Sequence, residues 1–153
     1  NEDLAIKVID NDLESTSLPI SYTRGLWEVG TNIRWSRDGS RALVYGYAST
    51  PGICPKFYNY ETNQRQDRPC WQVFDMSNRE LVWWPDERLA EALDTSWDRI
   101  NGTSNEATLS PDGQWIALSL RRGGLRYFLI TSITKVRTIL VGDFEVAELL
   151  WVR

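Results

Sequence analysis

A short phrase occurs twice in this chain, and its recurrence constrains the fold more than any single residue does. The two copies are Asn32–Leu43, NIRWSRDGSRAL, and Ala107–Leu118, ATLSPDGQWIAL. Each copy reads as an apolar strand, a Ser-x-Asp-Gly turn and a second apolar strand. A repeated strand–turn–strand unit indicates an architecture built from copies of one small sheet.

The rest of the chain fits a four-strand cycle. Apolar runs of four to seven residues alternate with Gly, Pro, Asp, Asn and Ser, which is typical of many short strands. If strands a and b flank the Asp-Gly turn, eleven predicted strands follow the order c-d, a-b-c-d, a-b-c-d, a. Trp35, Leu109 and Trp151 then occupy equivalent positions. The 42 residues from Leu109 to Trp151 match one propeller blade, and the 74 residues from Trp35 to Leu109 leave room for insertions.

The predicted fold class is all-β, with antiparallel four-stranded propeller blades and a short helical insertion. Residues 1–31 end one blade, 32–85 form a blade with an insertion at 49–70, 86–106 form the helical insertion, 107–142 form a second blade, and 143–153 begin the next. The helix is predicted over Pro85–Leu93, because Pro and acidic residues begin it and Leu89 and Leu93 share a face. A polar loop is expected to follow through Asn105.

Four residues of the repeated phrase are interpreted as structural turn residues: Asp38, Gly39, Asp112 and Gly113. An Asp side chain hydrogen-bonds nearby backbone amides, and Gly accepts a positive φ. The two Asp residues fall in different blades, so no pattern in the sequence pairs them as catalytic acids.

The phrases Trp35-Ser36-Arg37-Asp38-Gly39 and Leu109–Leu118 resemble the tryptophan-serine-proline-aspartate-glycine repeats of TolB-like, or WD-repeat-like, β-propellers. The same repeat occurs in propeller domains of prolyl-oligopeptidase-type peptidases. The second copy is close to the family pattern, whereas Arg37 replaces the proline in the first. The resemblance implies a non-enzymatic protein-interaction or assembly module that works in the periplasm or outside the cell.

The strand count also bears on completeness. Eleven strands make fewer than three blades, whereas a closed propeller needs at least four. The chain is therefore an excerpt of a longer propeller, a subunit that completes a ring with other chains, or an open curved stack. The first alternative is favoured, because an isolated open stack leaves sheet faces and edges unprotected. We expect the chain to belong to a larger chain or complex.

Composition excludes several classes of function. The chain has no histidine, the commonest general base and metal ligand, so neither a catalytic triad nor a histidine-based metal site is expected. The net charge of -4 argues against nucleic acid as a partner. No stretch approaches the roughly 18 apolar residues of a membrane helix. No catalytic residue, metal or cofactor is predicted.

Cys54 and Cys70 bracket a polar segment that has no clear periodicity and is interpreted as an insertion held by a staple. A disulfide here would close a loop of about 17 residues and contribute about 3 kcal/mol in the chain-entropy model. Two unrelated buried thiols are the alternative, because sequence does not give the Cα separation. A disulfide would indicate an oxidising, extracytoplasmic compartment. Asn101 begins an N-glycosylation triplet and is a candidate modification site.

Aromatic residues that the repeat does not need are the candidates for partner binding, because loops on rigid scaffolds carry function and Tyr and Trp are enriched at hot spots. They are Phe57, Tyr58 and Tyr60 in the stapled insertion, and Trp84 and Trp97 beside the helical insertion. The alternative is that these aromatics pack their own insertions onto the scaffold. Core packing is expected for the tryptophans within strands: Trp35, Trp71, Trp115 and Trp151.

Two other functions stay open on the sequence alone. The chain would be the regulatory propeller domain of a prolyl-oligopeptidase-type hydrolase if a catalytic domain lay outside these residues. It would be a carbohydrate-binding propeller if the exposed aromatics served as stacking platforms for sugar rings.

Overall fold

The computed structural model describes residues 3–9, 15–23, 33–48, 50–59, 61–66, 68–96, 100–122, 124–134 and 137–142. The elements within these ranges are β1 (Asp3–Ile9), β2 (Ser15–Thr23), β3 (Ile33–Trp35), β4 (Arg41–Ala48), β5 (Phe57–Asn59), β6 (Gln64–Gln66), β7 (Cys70–Asp75), β8 (Glu80–Trp83), α1 (Glu87–Glu91), β9 (Ile100–Leu109), β10 (Trp115–Arg122), β11 (Leu125–Ser132) and β12 (Thr138–Gly142). The predicted final strand, over residues 143–153, lies outside the described residues.

Two four-stranded antiparallel sheets carry the two copies of the repeated phrase. The first sheet has the order β3-β4-β7-β8 and the second sheet the order β9-β10-β11-β12, so both follow the order of the chain. The β1–β2 hairpin joins the first sheet where β2 pairs with the end of β4, at Ser21–Tyr47 and Ile20–Ala48. The prediction of an all-β chain with four-stranded antiparallel sheets is confirmed.

The two sheets share an equivalent hydrogen bond between neighbouring hairpins. The Met76 N–H donates to the Ser40 carbonyl at 2.8 Å in the first sheet, and the Ile133 N–H donates to the Gln114 carbonyl at 2.9 Å in the second. The paired residues are 36 positions apart in the first sheet and 19 apart in the second. The additional residues of the first sheet therefore lie between β4 and β7, where the cysteine-bracketed segment is inserted.

One apolar core holds both sheets and the helix together. Leu43 and Val73 of the first sheet are fully buried in it, as are Leu118 and Leu129 of the second. Leu89 of α1 belongs to the same cluster, so the short helix is fixed by the core rather than by its own length. Because the interior is shared, the two sheets pack as one body.

Both turns of the repeated phrase are closed in the same way. In the first turn (Ser36–Arg41), the Ser36 hydroxyl donates to Asp38 Oδ1 at 2.8 Å and accepts from the Arg41 N–H at 2.9 Å. In the second turn (Ser110–Trp115), the equivalent distances are 2.5 and 2.9 Å. Gly39 and Gly113 have φ values of +72° and +68°. Residues that carry a Cβ atom rarely adopt this backbone conformation.

These hydrogen bonds favour the charged form of both aspartates. The backbone N–H of Ser40, followed by the hydroxyls of Ser36 and Ser40, lowers the pKa of Asp38 to about 2. The Ser110 hydroxyl is the largest cause of the lowered pKa of Asp112. Each carboxylate is therefore an acceptor engaged within its own turn.

The region between the sheets departs from the sequence prediction at two points. The α-helix is Glu87–Glu91 instead of Pro85–Leu93, because the Asp86 side chain caps it and the chain turns after Ala92. β9 begins at Ile100, so the predicted polar loop through Asn105 is wrong. Backbone pairing of β9 with β10 outweighs the polar composition of this segment, as local propensity often yields to tertiary pairing.

The strand tryptophans do not share one environment. Trp71 is fully buried, Trp115 is half-buried, and Trp35 is 51% exposed. The prediction that Trp35 packs in the core is therefore wrong. It is the last residue of β3, the outer strand of the first sheet, where the periodicity of a strand does not say which face is covered. Trp151 lies outside the described residues.

Candidate interaction site

The predicted disulfide is present and anchors the inserted segment to the first sheet. Cys54 and Cys70 are 16 positions apart in sequence, and their Cα atoms are 5.6 Å apart. Cys70 is the first residue of β7 and is fully buried, whereas Cys54 is half-buried. The bond thus ties a surface segment to a strand in the core.

The insertion contains structure that its sequence pattern does not predict. β5 and β6 pair as a small antiparallel hairpin. The side-chain oxygen Oδ1 of Asn59 accepts from the backbone N–H groups of Glu61 and Thr62 at 2.9 and 3.3 Å, and Asn59 Nδ2 donates to Gln66 Oε1 at 3.1 Å. Asn59 therefore closes this hairpin as an Asx turn, and the insertion is an ordered platform.

A buried glutamine joins the two core strands, β4 and β7, that flank the insertion. Gln72 on β7 is fully buried, and its amide nitrogen donates to the Gly46 carbonyl at 3.1 Å. The same nitrogen lies 3.9 Å from Cys54 Sγ. Sequence reasoning missed this residue, although a glutamine between Trp71 and Val73 in an apolar strand was a visible signal, because buried polar groups need partners.

The connection from β8 to α1 forms a second ordered segment at the same end of the first sheet. Trp83 and Pro85 are buried on either side of Trp84, which is half-buried. The Asp86 carboxylate accepts from the Arg88 N–H at 3.2 Å and so caps α1. At the other end of the helix, the Arg122 side chain of β10 donates to the Leu93 carbonyl at 2.7 Å.

The insertion and the β8–α1 connection face each other across an open cleft of about 360 Å³. The insertion, which includes β6, and the connection with the first residue of α1 supply its lining residues: Gly52, Ile53, Pro55, Lys56, Arg65, Trp84, Pro85, Asp86 and Glu87. The cleft carries basic side chains, Lys56 and Arg65, on the wall formed by the insertion. It carries acidic side chains, Asp86 and Glu87, on the wall formed by the connection.

The structure brings together only part of the predicted binding set. Trp84 lines the cleft opposite the stapled insertion. Phe57 and Tyr58 lie in β5 of that insertion, while Tyr60 and Trp97 lie outside the described residues. The four charged lining residues have no sequence signal of their own, because only the folded chain brings Lys56 and Arg65 into one cleft with Asp86 and Glu87.

Other candidate sites have less structural support. Asn101 lies within β9, between the positions that pair with Arg121 and Arg122 of β10. Within the described ranges, no three Asp, Glu or Cys side chains are placed to hold a metal ion. The helices found in those ranges do not reach the length and apolar character that crossing a membrane requires.

Comparisons with known proteins give one likeness in fold. No protein-family model matches the chain. No curated protein sequence matches it either. Among solved structures, it is similar to the crystal structure of TolB from Acinetobacter baumannii, with 16% identity and a TM-score of 0.37 over 93% of this chain and 38% of that one. The chain thus spans less than two fifths of the TolB chain.

Proposed function

We propose that this chain is a non-enzymatic protein-interaction module that binds a partner at the cleft between the stapled insertion and the β8–α1 connection. The observation that carries the proposal is the origin of the lining residues. They come mainly from segments that the two sheets do not need, and the cleft lies at the end of the first sheet where both segments emerge. Binding residues concentrate on such connections above a rigid scaffold.

Preorganisation of both walls supports this role. A disulfide and the Asn59 turn hold the insertion. The Asp86 cap and the Arg122 hydrogen bond hold the connection. A surface that is already ordered loses little conformational entropy on binding, so a shallow cleft of this kind can bind a protein segment usefully.

The cleft is lined by charged side chains of both signs. Lys56, Arg65, Asp86 and Glu87 all line the cleft, so a bound segment with charges of both signs would be favoured. Charge complementarity of this kind mainly sets specificity and the rate of association. Trp84, which also lines the cleft, supplies the aromatic surface that interfaces favour.

The disulfide supports an extracytoplasmic location, because such bonds persist in oxidising compartments. The location is tested by trapping thiols in intact source cells with a maleimide before lysis. Both cysteines should resist alkylation until a reductant is added. Free thiols at Cys54 and Cys70 in the cell would contradict this location.

The binding role is tested by comparing three forms of the chain as bait for proteins of the source cell: unchanged, Trp84→Ala and Leu125→Ala. Leu125 is 54% exposed on β11 and does not line the cleft, so its variant is the matched control. We expect a partner to be retained by the unchanged chain and the control, and lost with Trp84→Ala. The partner is then purified, and its affinity should fall about tenfold or more with Trp84→Ala.

Reversing a charge that lines the cleft provides a second test of the same site. Lys56→Glu should weaken the binding of the purified partner. This loss of affinity should be smaller at high salt, because exposed charges are screened. A partner that binds equally well to the Trp84 and Lys56 variants would remove the cleft from the proposal. Retention of glycans instead of proteins, dependent on Trp84, would replace it with the carbohydrate-binding alternative.

A further inference from the structure

The two Ser-x-Asp-Gly turns have the same internal hydrogen bonds but differ in their contacts with the rest of the molecule. Equivalent residues are 74 positions apart, so Trp35 in the first sheet corresponds to Leu109 in the second. Leu109 is only 4% exposed, whereas Trp35 is 51% exposed. The same structural position is therefore covered in one sheet and open in the other.

The first turn packs against the second turn and covers it. The Arg37 N–H donates to the Pro111 carbonyl at 2.9 Å, and the Arg41 guanidinium donates to the Gly113 carbonyl at 2.6 Å. The contact is tight, because a Cβ atom at Gly113 would lie 3.2 Å from Arg41 Cδ and 3.2 Å from Ser36 Cβ. Arg41 also attracts the Asp112 carboxylate.

Within the described ranges, the matching surface on the first turn has none of these contacts. A Cβ atom at Gly39 would meet nothing within 4 Å. Among the described residues, no hydrogen bond is donated to the carbonyl of Arg37 or Gly39, which correspond to the two acceptors in the second turn. Asp38 is exposed beside them and corresponds to Asp112.

We propose that the surface formed by Trp35, Arg37, Asp38 and Gly39 is a docking site for the end of another antiparallel sheet whose turn presents a backbone N–H and an arginine. Arg37 and Gly39 would accept the two hydrogen bonds through their carbonyls, Asp38 would face the guanidinium, and Trp35 would be covered by the apolar face of the incoming sheet. The chain itself shows this mode of docking, at the contact of its two turns.

An unchanged second copy of the chain does not have the required donors on its second sheet. The residue equivalent to Arg37 is Pro111, which has no N–H, and the residue equivalent to Arg41 is Trp115. The partner is therefore a sheet of another sequence. This surface lies at the start of β4 and the cleft lies beyond its end, roughly 25 Å away for eight strand residues, so the two sites are independent.

The test supplies the missing donors to the chain's own second turn. The variant Pro111→Arg/Trp115→Arg is titrated into fluorescently labelled unchanged chain, with the unlabelled unchanged chain as the matched titrant. We expect the variant to bind about tenfold or more tightly than the unchanged titrant. Labelled Trp35→Glu should then lose about tenfold in affinity, and labelled Asp38→Asn about threefold.

Two results would overturn the proposal: equal binding of the variant and the unchanged titrant, or binding of the variant that survives Trp35→Glu. Circular dichroism melting shows first that the titrant is folded. If the double variant is unfolded, Trp115→Arg alone is the titrant, because it supplies the guanidinium and keeps Pro111. The same two results then count against the proposal.

Discussion

The first turn and the second turn have the same internal hydrogen bonds, but they stand in different surroundings. In both, serine closes the hairpin and aspartate accepts from the residue two positions later, at 3.0 Å. Gly113 of the second turn is buried against Ser36 and Arg41, while Gly39 of the first turn borders open space. The sequence phrase therefore specifies the hairpin, and the neighbouring sheet decides how much each residue contributes to stability.

The largest difference is expected at the strand residue before each serine. Leu109→Ala should lower the free energy of unfolding by about 3 kcal/mol, because a buried leucine leaves a cavity. Trp35→Ala should cost less than about 1 kcal/mol, because half of the ring is already in water. Urea denaturation of both variants measures the two values, and equal losses would contradict the comparison.

The two glycines provide the next test, because both have a positive φ and only one has close neighbours. Alanine at either position costs about 1 kcal/mol for the backbone conformation. Gly113→Ala should cost about 1–2 kcal/mol more, because its new Cβ crowds Ser36 and Arg41. Thermal melting in parallel with Gly39→Ala separates these two contributions, and a smaller loss for Gly113→Ala would mean that the turns do not touch in solution.

The arginines on either side of the first turn should differ for a related reason. Arg41→Met removes a charged hydrogen bond to the Gly113 carbonyl and should cost about 1.5 kcal/mol. Arg37 uses its backbone N–H in this contact, so Arg37→Met should stay within about 0.5 kcal/mol of the unchanged chain. Chemical denaturation at two salt concentrations measures both, and a similar loss for Arg37→Met would assign the effect to surface charge.

The smallest effect on stability is expected from lowering the pH. The folded-state pKa of Asp38 is about 2, below its ordinary value of 3.8, so its contribution to stability is complete above about pH 4 and is lost as the pH falls through about 2. The pKa of Asp112 is lowered as well. Asp38→Asn should flatten the pH dependence of unfolding over this window. A dependence that is unchanged in both Asp38→Asn and Asp112→Asn would show that other carboxylates govern it.

Much of the scaffold could be predicted from sequence, because its signals are local. The Ser-x-Asp-Gly phrase predicts two hairpins, and both are present with Gly39 and Gly113 at positive φ. The cysteine spacing predicts the Cys54–Cys70 bond. Strand β9 was missed between Ile100 and Asn105, because its polar residues are held by pairing with β10, a partner that local composition does not reveal.

The candidate site was harder to predict, because it depends on which segments meet. The sequence identifies Trp84 and the insertion as separate candidates, but only the structure places them across one cleft. Lys56 and Glu87 enter the site through that meeting alone. The exposure of Trp35 has the same origin, since periodicity describes a strand's two faces and does not say which neighbour covers each.

The hydrogen bond from Arg41 to Gly113 has a consequence for the order of assembly. It joins residues 72 positions apart, whereas each turn is closed by residues five positions apart. Short-range contacts form quickly, and the entropy of closing a long loop delays distant ones. On refolding, the Gly39 amide should therefore gain protection from hydrogen exchange before the Arg37 amide, since the first bonds within its turn and the second bonds across the sheets. The contact between the turns therefore forms after the turns themselves.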